Sequence, residues 1–451
     1  MWTYIRSKTS SREPRRLTFH DTSPKILPKG KIKIYRYSII HPKEIVNKVT
    51  MSKSHIKPIL WIISELFYPD ETSTAYILTD IANGIEKKYN VKVICGPEFY
   101  DKKKTKDRSS SQSLNKNIVI FRTSPINLNK DKLSTRVLRF FIASYKIYRI
   151  AKTHINAEDK VLLVTNPPLL ILLIAKLKRK IGFEYILLVH DVFPENMKTA
   201  GLKIPDFIFK KSKKIIDNAY SKTDKIIVIG RDMKDVIAGK IAGKGHSNIT
   251  IIENWGDVDS ILPKEDFATK TNSITIEYAG NIGRGQNLLP FLQLWSKLKN
   301  NVIELSIWGS GAAESSLKLY VNNHDVDNVV FNGPYFRSQQ NDVLNSCDIA
   351  LVTLAHGMYG LGVPSKSYNI MAAGKPILFI GDLKSEIALI IKENEIGYCF
   401  ENNDIEGLKY FLNNLSIKDK EEFNIMGNRA RALAVRCFTK KVIINKFIRE
   451  I

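Results

Sequence analysis

The sequence predicts an α/β fold made of two Rossmann-like, doubly wound domains that face each other across a cleft. Short, nearly continuous apolar runs alternate with amphipathic helical segments, which is the pattern of buried parallel strands covered by helices. This series runs once before Pro263 and begins again after it. The chain of 451 residues is also about two to three times the length of an ordinary domain.

The pattern divides the chain into an N-terminal domain at residues 56–254, a hinge at 255–268 and a C-terminal domain at 269–425. A helix at residues 426–451 is expected to pack back toward the N-terminal domain. The apolar runs predict strands in the N-terminal domain at residues 58–64, 91–95, 117–122, 161–165, 185–189, 225–230 and 249–254. They predict strands in the C-terminal domain at residues 274–280, 302–309, 328–333, 348–354, 376–381 and 397–400.

Residues 1–55 form a basic leader with 13 Lys and Arg against three Asp and Glu. Four prolines interrupt it and it has no sustained periodicity, so we expect it to be disordered. Met51 stands just before the first predicted strand, so the leader is interpreted either as a tail or as a start-site artefact. It contributes much of the net charge of +24, which favours anionic partners such as nucleic acid, anionic lipid or phosphorylated ligands.

Several protein classes are excluded by composition. The four cysteines lie far apart without a CxxC pair, which indicates reduced thiols in a cytoplasmic protein. The longest apolar run, residues 169–175, is much shorter than the roughly 20 residues that cross a bilayer. No apolar segment of a secretory signal follows the N-terminal charges. No nucleic-acid-binding motif is present, so we expect no nucleic-acid partner.

Ligands of parallel α/β sheets bind beyond the carboxyl ends of the strands, so the loops that follow strands are the candidate sites. The loop at residues 278–286 carries Gly280, Gly283 and the cation Arg284, and it can approach an anion closely; a plain glycine turn is the alternative. Pro364-Ser365-Lys366 begins a predicted helix, where Ser365 can cap and Lys366 can meet an anion. An exposed first-turn lysine is the alternative there.

Two further patterns are weak. The segment at residues 307–314 follows a strand but lacks the spacing of a dinucleotide fingerprint, and packing explains its glycines. Asp257 and Asp259 form a DxD triplet at the predicted hinge, where capping explains them. We therefore predict no metal site.

In the N-terminal domain, the loop at residues 188–196 brings His190, Asp191 and Glu195 to a strand end, where an imidazole and carboxylates can orient a hydroxyl or accept its proton. A structural role for Asp191 is the alternative. The first strand-to-helix loop offers further polar groups to the same cleft, at least one of them an N-cap: Glu71, Thr72, Ser73 and Thr74.

The predicted helix at residues 134–152 interleaves basic and aromatic side chains, which suits an anionic membrane surface. The residues predicted to contact the membrane are Arg136, Arg139, Phe140 and Arg149. A core-packed helix with a solvated basic face accounts for the same pattern.

Taken together, these stretches resemble family 4 of the retaining glycosyltransferases, which has the two-domain GT-B fold. The resemblance covers about residues 56–451 and is strongest to the subgroup that makes bacterial surface polysaccharides, such as the O-antigen fucosamine and colanic-acid transferases. The stretches that carry it are FYPDETSTA, TNPPLL, VHDVFPE, KIIVIGRDM, ENWGD, YAGNIGRGQ, GVPSKSYNIMAAGKP and SEIA. The chain departs from the family where two glutamates are usual, because Leu361 and Asn369 occupy those positions.

The resemblance implies transfer of a sugar, for example an N-acetylated amino sugar, from a UDP-sugar to a polyprenyl-diphosphate-linked saccharide without a metal or other cofactor. It implies peripheral attachment at the inner face of the plasma membrane. The catalytic residues would be His190 and Asp191 near the acceptor, and Arg284 and Lys366 at the diphosphate. The donor-binding residues would be Gly280, Asn281, Gly283, Gln286, Gly309, Pro334, Tyr335, Ser365, Tyr368, Asn369 and Glu386.

Two other classes stay open at this point. A sugar-nucleotide epimerase could share the architecture and would convert a UDP-sugar without an acceptor. A non-catalytic basic binding protein would account for the charge alone.

Overall fold

The computed structural model describes residues 57–98, 112–126, 133–199, 201, 204–243, 248–264 and 272–451. All structural statements below concern these residues. The basic leader therefore lies outside the described residues, and so does the side chain of Arg136.

The first domain is built on a parallel sheet with the order β3-β2-β1-β4-β5-β6-β7 in the described part of the chain. Its strands are β1 Ile59–Ser64, β2 Asn90–Cys95, β3 Val119–Arg122, β4 Lys160–Val164, β5 Glu184–Val189, β6 Lys225–Val228 and β7 Asn248–Ile251. The central strands are buried because helices cover both faces of the sheet, which is why their sequences are continuous apolar runs.

The helices of this domain connect the strands. They are α1 Ser73–Ile85, α2 Leu133–His154, α3 Leu170–Ile181, α4 Glu195–Thr199, α5 Asp206–Tyr220 and α6 Arg231–Ile241. The chain moves in one direction along the sheet from β1 to β3 and in the other from β4 to β7. Because such crossovers are right-handed, α1 lies on one face, and α2, α3, α5 and α6 lie on the other.

The second domain repeats the architecture with a parallel sheet of order β10-β9-β8-β11-β12-β13. Its strands are β8 Ile274–Ala279, β9 Ile303–Trp308, β10 Val329–Gly333, β11 Ile349–Thr353, β12 Ile377–Ile380 and β13 Gly397–Phe400. Its helices are α7 Leu288–Trp295, α8 Glu314–Asn323, α9 Gln340–Asn345, α10 Lys366–Ala372, α11 Glu386–Asn394, α12 Ile405–Asn414 and α13 Asp419–Cys437. The two parallel sheets confirm the predicted α/β class.

The chain returns to the first domain at its C-terminal end. The segment expected to form one helix from residue 426 instead forms two, because α13 ends at Cys437 and a new helix, α14 Lys440–Glu450, begins after the capping residue Thr439. Helix α14 packs on α1. Its contacts with the first domain include the Lys446–Glu253 ion pair at 2.6 Å and the hydrogen bond from Lys88 Nζ to the Ile448 carbonyl at 2.8 Å.

Candidate functional site

Two glycine loops meet at the carboxyl end of the second sheet. A Cβ on Gly309 would lie only 1.8 Å from the Gly280 carbonyl oxygen, and Gly309 has a φ of +126°. The Gly280 amide donates to the Trp308 carbonyl at 3.0 Å, and the Ile282 amide donates to the Ser310 carbonyl at 3.0 Å. The backbones of the loops after β8 and β9 are therefore in direct contact, which only glycine at position 309 permits.

Lys366 places its ammonium group beside these loops. Its Nζ lies 3.4 Å from the centre of the Tyr278 ring, and its side chain passes close to Gly280. The nitrogen is buried and has no hydrogen-bond partner among the described residues. Burial lowers the pKa of Lys366 to about 7, against an opposing effect of the Glu277 carboxylate. A buried ammonium without a hydrogen-bond partner is costly even over an aromatic ring, so this position favours an anionic ligand.

Glu277 provides a second buried ionisable group next to Tyr278 in β8. The Ser346 hydroxyl donates to its Oε2 at 2.7 Å, whereas Oε1 is buried and has no partner among the described residues. Burial raises the pKa of Glu277 to about 7, and the cations Lys375 and Lys366 oppose that rise. The lysine and the glutamate therefore influence each other's charge. No feature of the local sequence pattern singled out Glu277.

Hydrogen bonds to the backbone fix the loop after β8, whereas the cationic side chain of Arg284 in that loop is exposed. The Thr353 hydroxyl donates to the Gln286 carbonyl at 2.5 Å, and the Ala355 amide donates to the Gly285 carbonyl at 2.9 Å. Arg284 is exposed in the short 3-10 turn Arg284–Gln286. The side chains of Asn281 and Gln286 lie on either side of Gly283, so that a Cβ there would come within 2.9 Å of both.

An aromatic pair, Trp308 and Tyr335, lies at the carboxyl ends of β9 and β10. The rings of Trp308 and Tyr335 are 6.2 Å apart and perpendicular, and Pro334 is exposed beside them. The indole Nε1 of Trp308 is buried without a hydrogen-bond partner in the described part of the chain. Sequence reasoning missed Trp308, although an aromatic residue directly before Gly309 at a strand end was the available signal.

The loop at residues 188–196 of the first domain contacts the loop of the second domain that leads to Lys366. The Val192 amide donates to the Leu361 carbonyl at 3.0 Å. A Cβ on Gly362 would lie 3.5 Å from Asp191 Oδ1. The structure therefore brings His190 and Asp191 to the same cleft as Lys366.

His190 and Asp191 have different environments in this cleft. Burial lowers the pKa of His190 to about 4, so its ring is neutral near pH 7, and its Nε2 has no partner among the described residues. The side chain of Asp191 is exposed to the cleft. The surrounding protein raises the pKa of Asp191 by limiting its hydration, while a hydrogen bond with Asn196 lowers it. The pair combines a neutral imidazole with a carboxylate.

Other predicted residues of the first domain have structural roles. The carboxylate of Glu195, predicted to bind acceptor, is held by Lys240 at 2.6 Å and by Lys213 at 2.9 Å. Thr72 caps α1 by accepting a hydrogen bond from the Ala75 amide. The remaining predicted residues of this loop are half-buried or exposed: Glu71, Ser73 and Thr74.

Three predicted donor residues of the second domain make contacts within the structure, and a fourth, Ser365, lacks its predicted contact. Glu386 is 4% exposed, and its Oε2 accepts from the Arg231 amide at 2.6 Å and from Arg231 Nε at 3.0 Å. Tyr368 is fully buried against Phe438. Asn369 Oδ1 accepts from the Asp257 amide at 3.0 Å. Ser365 precedes α10 but makes no side-chain capping bond. The predicted cap by Ser365 is therefore wrong, and in this structure Glu386 and Tyr368 are engaged by Arg231 and Phe438.

The predicted membrane residues do not share one surface. Arg139 is 5% exposed and forms a buried ion pair with Glu65 at 3.1 Å, so its assignment to a membrane surface is wrong. Phe140 is half-buried, and Arg149 is exposed. Within the described residues, no helix is both long and apolar enough to span a membrane. The same residues contain no cluster of three or more His, Cys, Asp or Glu side chains suited to a metal ion.

Solved structures share this two-domain architecture at low identity. HepE from Anabaena, solved in complex with UDP, superposes on this chain with a TM-score of 0.61 and 13% sequence identity. The superposition covers 87% of this chain and 99% of the HepE chain. WaaG, a glycosyltransferase involved in lipopolysaccharide biosynthesis, superposes with a TM-score of 0.60 and 12% sequence identity, over 87% of this chain and 99% of the WaaG chain. These likenesses show the GT-B fold.

Sequence comparison establishes the family. The family model described as "Glycosyl transferases group 1" matches residues 262–433, which include the loops that carry Arg284 and Lys366. The probable glycosyltransferase WbjE of Pseudomonas aeruginosa is 31% identical over 331 residues, which cover 71% of this chain and 80% of WbjE. The buried lysine, the glycine loops and the cleft thus belong to a member of the group 1 glycosyl transferase family.

Proposed function

We propose that the protein is a retaining glycosyltransferase that moves a sugar from a UDP-sugar to a lipid-linked saccharide in surface-polysaccharide biosynthesis. The observation that carries this proposal is the buried ammonium of Lys366, which has no hydrogen-bond partner among the described residues and lies beside the Gly280 loop. Such a group would be matched by the diphosphate of a sugar nucleotide. Its position fits a ligand at the carboxyl edge of a parallel sheet.

Proteins of the same fold support the same ligand and pathway. HepE was solved with UDP and with UDP-glucose. WaaB is described as a lipopolysaccharide outer core galactosyltransferase, and WaaG as an enzyme of lipopolysaccharide biosynthesis. These relatives make a UDP-sugar donor and a lipid-linked saccharide acceptor the first choices for testing.

The second domain would stabilise the leaving group. When the bond between the anomeric carbon and the diphosphate breaks, its electron pair remains on the diphosphate oxygen. Lys366 from one loop and the exposed Arg284 from the next would place two positive charges near that oxygen. Fixed cations in a site with little water stabilise such developing charge strongly. Donor binding should therefore persist when divalent metals are chelated.

The first domain would present the acceptor hydroxyl. Asp191 can accept a hydrogen bond from that hydroxyl, and its raised pKa makes it a better proton acceptor than an ordinary carboxylate. The neutral His190 offers Nε2 to the same hydroxyl or to the transferred sugar. The acceptor oxygen then bonds to the anomeric carbon on the face that the diphosphate leaves, as retention requires, and its proton passes to the carboxylate of Asp191.

The experiment is calorimetric titration of UDP and GDP, with a metal chelator present, into the wild type and Lys366→Ala. We expect UDP binding that weakens at least about tenfold in the variant, since a charge-assisted hydrogen bond contributes about 1.5–3 kcal/mol. Lys299→Ala is the matched control, because Lys299 is an exposed lysine in the loop before β9, at the opposite edge of the sheet. Equal UDP affinity in the wild type and Lys366→Ala would contradict the assignment of this site.

The catalytic class is tested by incubating the UDP-sugar that binds best with and without a lipid-linked saccharide. Transfer requires both substrates, so the labelled sugar should move to the lipid fraction only when acceptor is present. Conversion of the sugar nucleotide without acceptor would instead identify an epimerase.

A further inference from the structure

We propose that a cavity between α7 and α12 of the second domain is a saccharide-binding subsite for the acceptor. This inference rests on the proposed function, because it concerns the sugars of a lipid-linked acceptor that precede the reacting one. It goes beyond that proposal, in which only the first domain contacts the acceptor. Three observations carry it: the position of the cavity, the groups that line it and the contact of its loop with the first domain.

The cavity has a volume of about 480 Å³ and lies at the carboxyl edge of the second sheet. Residues of α7 and of the start of α12 form its sides, and Thr353 and Ile380, the last residues of β11 and β12, also line it. Its volume falls within the roughly 300–1,000 Å³ of small-molecule sites. The carboxyl edge is also where parallel α/β sheets bind their ligands. Position and size therefore suit a ligand of a few sugar atoms to a small saccharide.

The cavity is separate from the proposed donor site. Among the described residues, neither Lys366 nor any of the predicted donor residues lines it. The two sites share only a neighbouring loop, because Asn287 lines the cavity and the carbonyl of Gln286 accepts a hydrogen bond from the hydroxyl of Thr353 at 2.5 Å. A ligand in the cavity would therefore touch the loop that carries Arg284 without occupying the place of the donor.

Side-chain amides are the most frequent polar groups of the lining. They belong to Asn287, Gln293, Asn402 and Asn403. None of the four makes a side-chain hydrogen bond to another residue in the described part of the chain. The amides of Asn300 and Asn345, in contrast, donate to the carbonyls of Leu415 and Leu262 at 2.8 and 2.9 Å and hold loops of this domain. An amide both donates and accepts, which matches the hydroxyl groups of a sugar.

The apolar lining can pack against the C–H groups of a sugar ring. Phe291, Leu294 and Leu408 are buried at the bottom of the cavity, and Ile405 is 55% exposed at its opening. A largely apolar surface with a few polar groups that fix orientation is typical of small-molecule sites. The lining therefore offers both kinds of contact that a saccharide needs.

The charges of the lining disfavour a phosphate or a nucleotide. Its charged residues are Lys297, Lys409, Glu401, Asp404 and Glu406, which are two cations and three anions. An anionic ligand would thus meet no excess of positive charge. Glu401 is oriented by the Leu383 amide, which donates to its Oε1 at 3.3 Å, so its other oxygen can accept from a sugar hydroxyl. The occupant that fits is a saccharide without phosphate groups.

The cavity lies beside the cleft in which the acceptor would react. His356 lines the cavity, and the residues that follow it contact the first domain. The Thr199 hydroxyl donates to Met358 Sδ at 3.1 Å, and a Cβ on Gly357 would lie 3.5 Å from Thr199 Cγ2. Thr199 ends α4, the first helix after Asp191. An acceptor whose hydroxyl is held at Asp191 can therefore extend past this contact into the cavity.

The test is saturation-transfer NMR of the full chain with the methyl glycosides of glucose, galactose, rhamnose, N-acetylglucosamine and N-acetylgalactosamine. The amide variant is Gln293→Ala with Asn403→Ala, which removes two amides from the lining. The filling variant is Ile405→Trp, which places a larger side chain at the opening. All three side chains are exposed, and thermal melts verify that each variant is folded.

Matched controls lie on α8, outside the cavity. Asn322→Ala with Asn323→Ala removes two exposed amides that do not line it. Leu319→Trp enlarges a side chain that is 60% exposed. Inorganic pyrophosphate is the probe for an anion site, and UDP is titrated into every variant.

We expect at least one glycoside to bind the wild type, its affinity to fall about tenfold in the amide variant and its signal to disappear in the filling variant. The controls should bind like the wild type. No transfer to any of the five glycosides, unchanged binding in both cavity variants, or equal losses in the controls would overturn the proposal. Binding of pyrophosphate that the cavity variants abolish would show an anion site instead.

The UDP titrations keep this inference apart from the proposed function. UDP should bind both cavity variants like the wild type, because none of the predicted donor residues lines the cavity. Normal UDP binding without glycoside binding would contradict the saccharide subsite alone. Glycoside binding that the cavity variants abolish, without UDP binding to the wild type, would contradict the donor assignment alone.

Discussion

The guanidinium carbon of Arg337 lies 3.4 Å from the centre of the Tyr76 ring, and this contact joins the two domains. Tyr76 lies in α1, whereas Arg337 begins the short 3-10 turn Arg337–Gln339 after β10. Burial raises the pKa of Tyr76 to about 12, so the phenol is neutral, and it donates a long hydrogen bond of 3.4 Å to Asp257. The stacked cation is therefore a contact that domain opening would have to break.

Replacing Arg337 by Ala should shift the protein toward a more open arrangement of the two domains. A partly desolvated cation–π contact contributes about 0.5–2 kcal/mol, so we expect the donor KM to rise about threefold to tenfold. The measurement combines steady-state kinetics with energy transfer between one dye on each domain. Tyr76→Phe is the control, because it keeps the ring under the guanidinium and removes only the interactions of the hydroxyl group. Unchanged energy transfer in Arg337→Ala would show that the contact does not hold the domains together.

Donor binding should weaken as the pH rises above 7. The pKa of Lys366 is lowered to about 7, so its ammonium loses its proton above that pH unless an anion binds beside it. UDP affinity should then fall by up to about tenfold for each pH unit above 7, and binding at pH 8 should take up a proton. Calorimetry in two buffers that differ in ionisation enthalpy measures that proton directly. A pH-independent affinity between pH 6.5 and 8.5 would refute this prediction.

Glu277→Gln should weaken UDP binding at pH 7.5, although it removes a negative charge near an anion site. The carboxylate raises the pKa of Lys366, so without it the lysine is deprotonated at a lower pH. We expect a loss of several-fold and a shift of the affinity profile toward acid. Glu304→Gln on the neighbouring strand is the matched control, because Glu304 is exposed. Tighter binding by Glu277→Gln would show that simple repulsion of the donor dominates.

Gly309→Ala should lower stability and donor affinity together. The new Cβ would overlap the Gly280 carbonyl oxygen, and a φ of +126° is strained for alanine, so the loops must separate at a cost of about 2–4 kcal/mol. Gly285→Ala is the control, because its Cβ would meet nothing within 4 Å. Urea denaturation and UDP titration of both variants provide the comparison. If Gly309→Ala matched the wild type in both measurements, the close contact would not be required.

Acid should destabilise the protein partly through His190. Its pKa is about 4 in the folded state, below the unfolded value near 6.5, so the unfolded chain binds the proton more readily. The stability that this buried neutral ring contributes is complete above pH 6.5 and is lost as the pH falls toward 4, by up to about 3 kcal/mol. Urea denaturation between pH 7 and 5 should therefore show a shallower decline in His190→Gln. Parallel declines in the two proteins would exclude this contribution.

The strands could be predicted from the sequence because each buried parallel strand has to be apolar along its whole length. Residues 161–165 and 185–189, for example, fall almost entirely on β4 and β5. The break between α13 and α14 was missed, because Phe438 and Thr439 do not interrupt the polar and apolar alternation. Only the return of the chain to the first domain explains why the helix ends there.

The positions of site residues could be predicted from the sequence only where a single loop after a strand carries them. Lys366 and the glycines near Gly280 follow strands, so their position at the carboxyl edge follows from topology alone. Glu386 was assigned from its motif, but its carboxylate binds Arg231, 155 residues away in the other domain. Arg139 and Glu195 likewise have buried partners distant in sequence. Contacts between distant segments leave no local pattern, so these roles could not be predicted.

The packing of α14 on α1 has a consequence for the order in which the protein is made. Helix α1 and the sheet beneath it are synthesised early, but the helix that covers them follows more than 350 residues later. During translation, the apolar surface that α14 covers stays open to solvent until α14 leaves the ribosome. The nascent first domain is therefore exposed to chaperones and proteases throughout synthesis of the second.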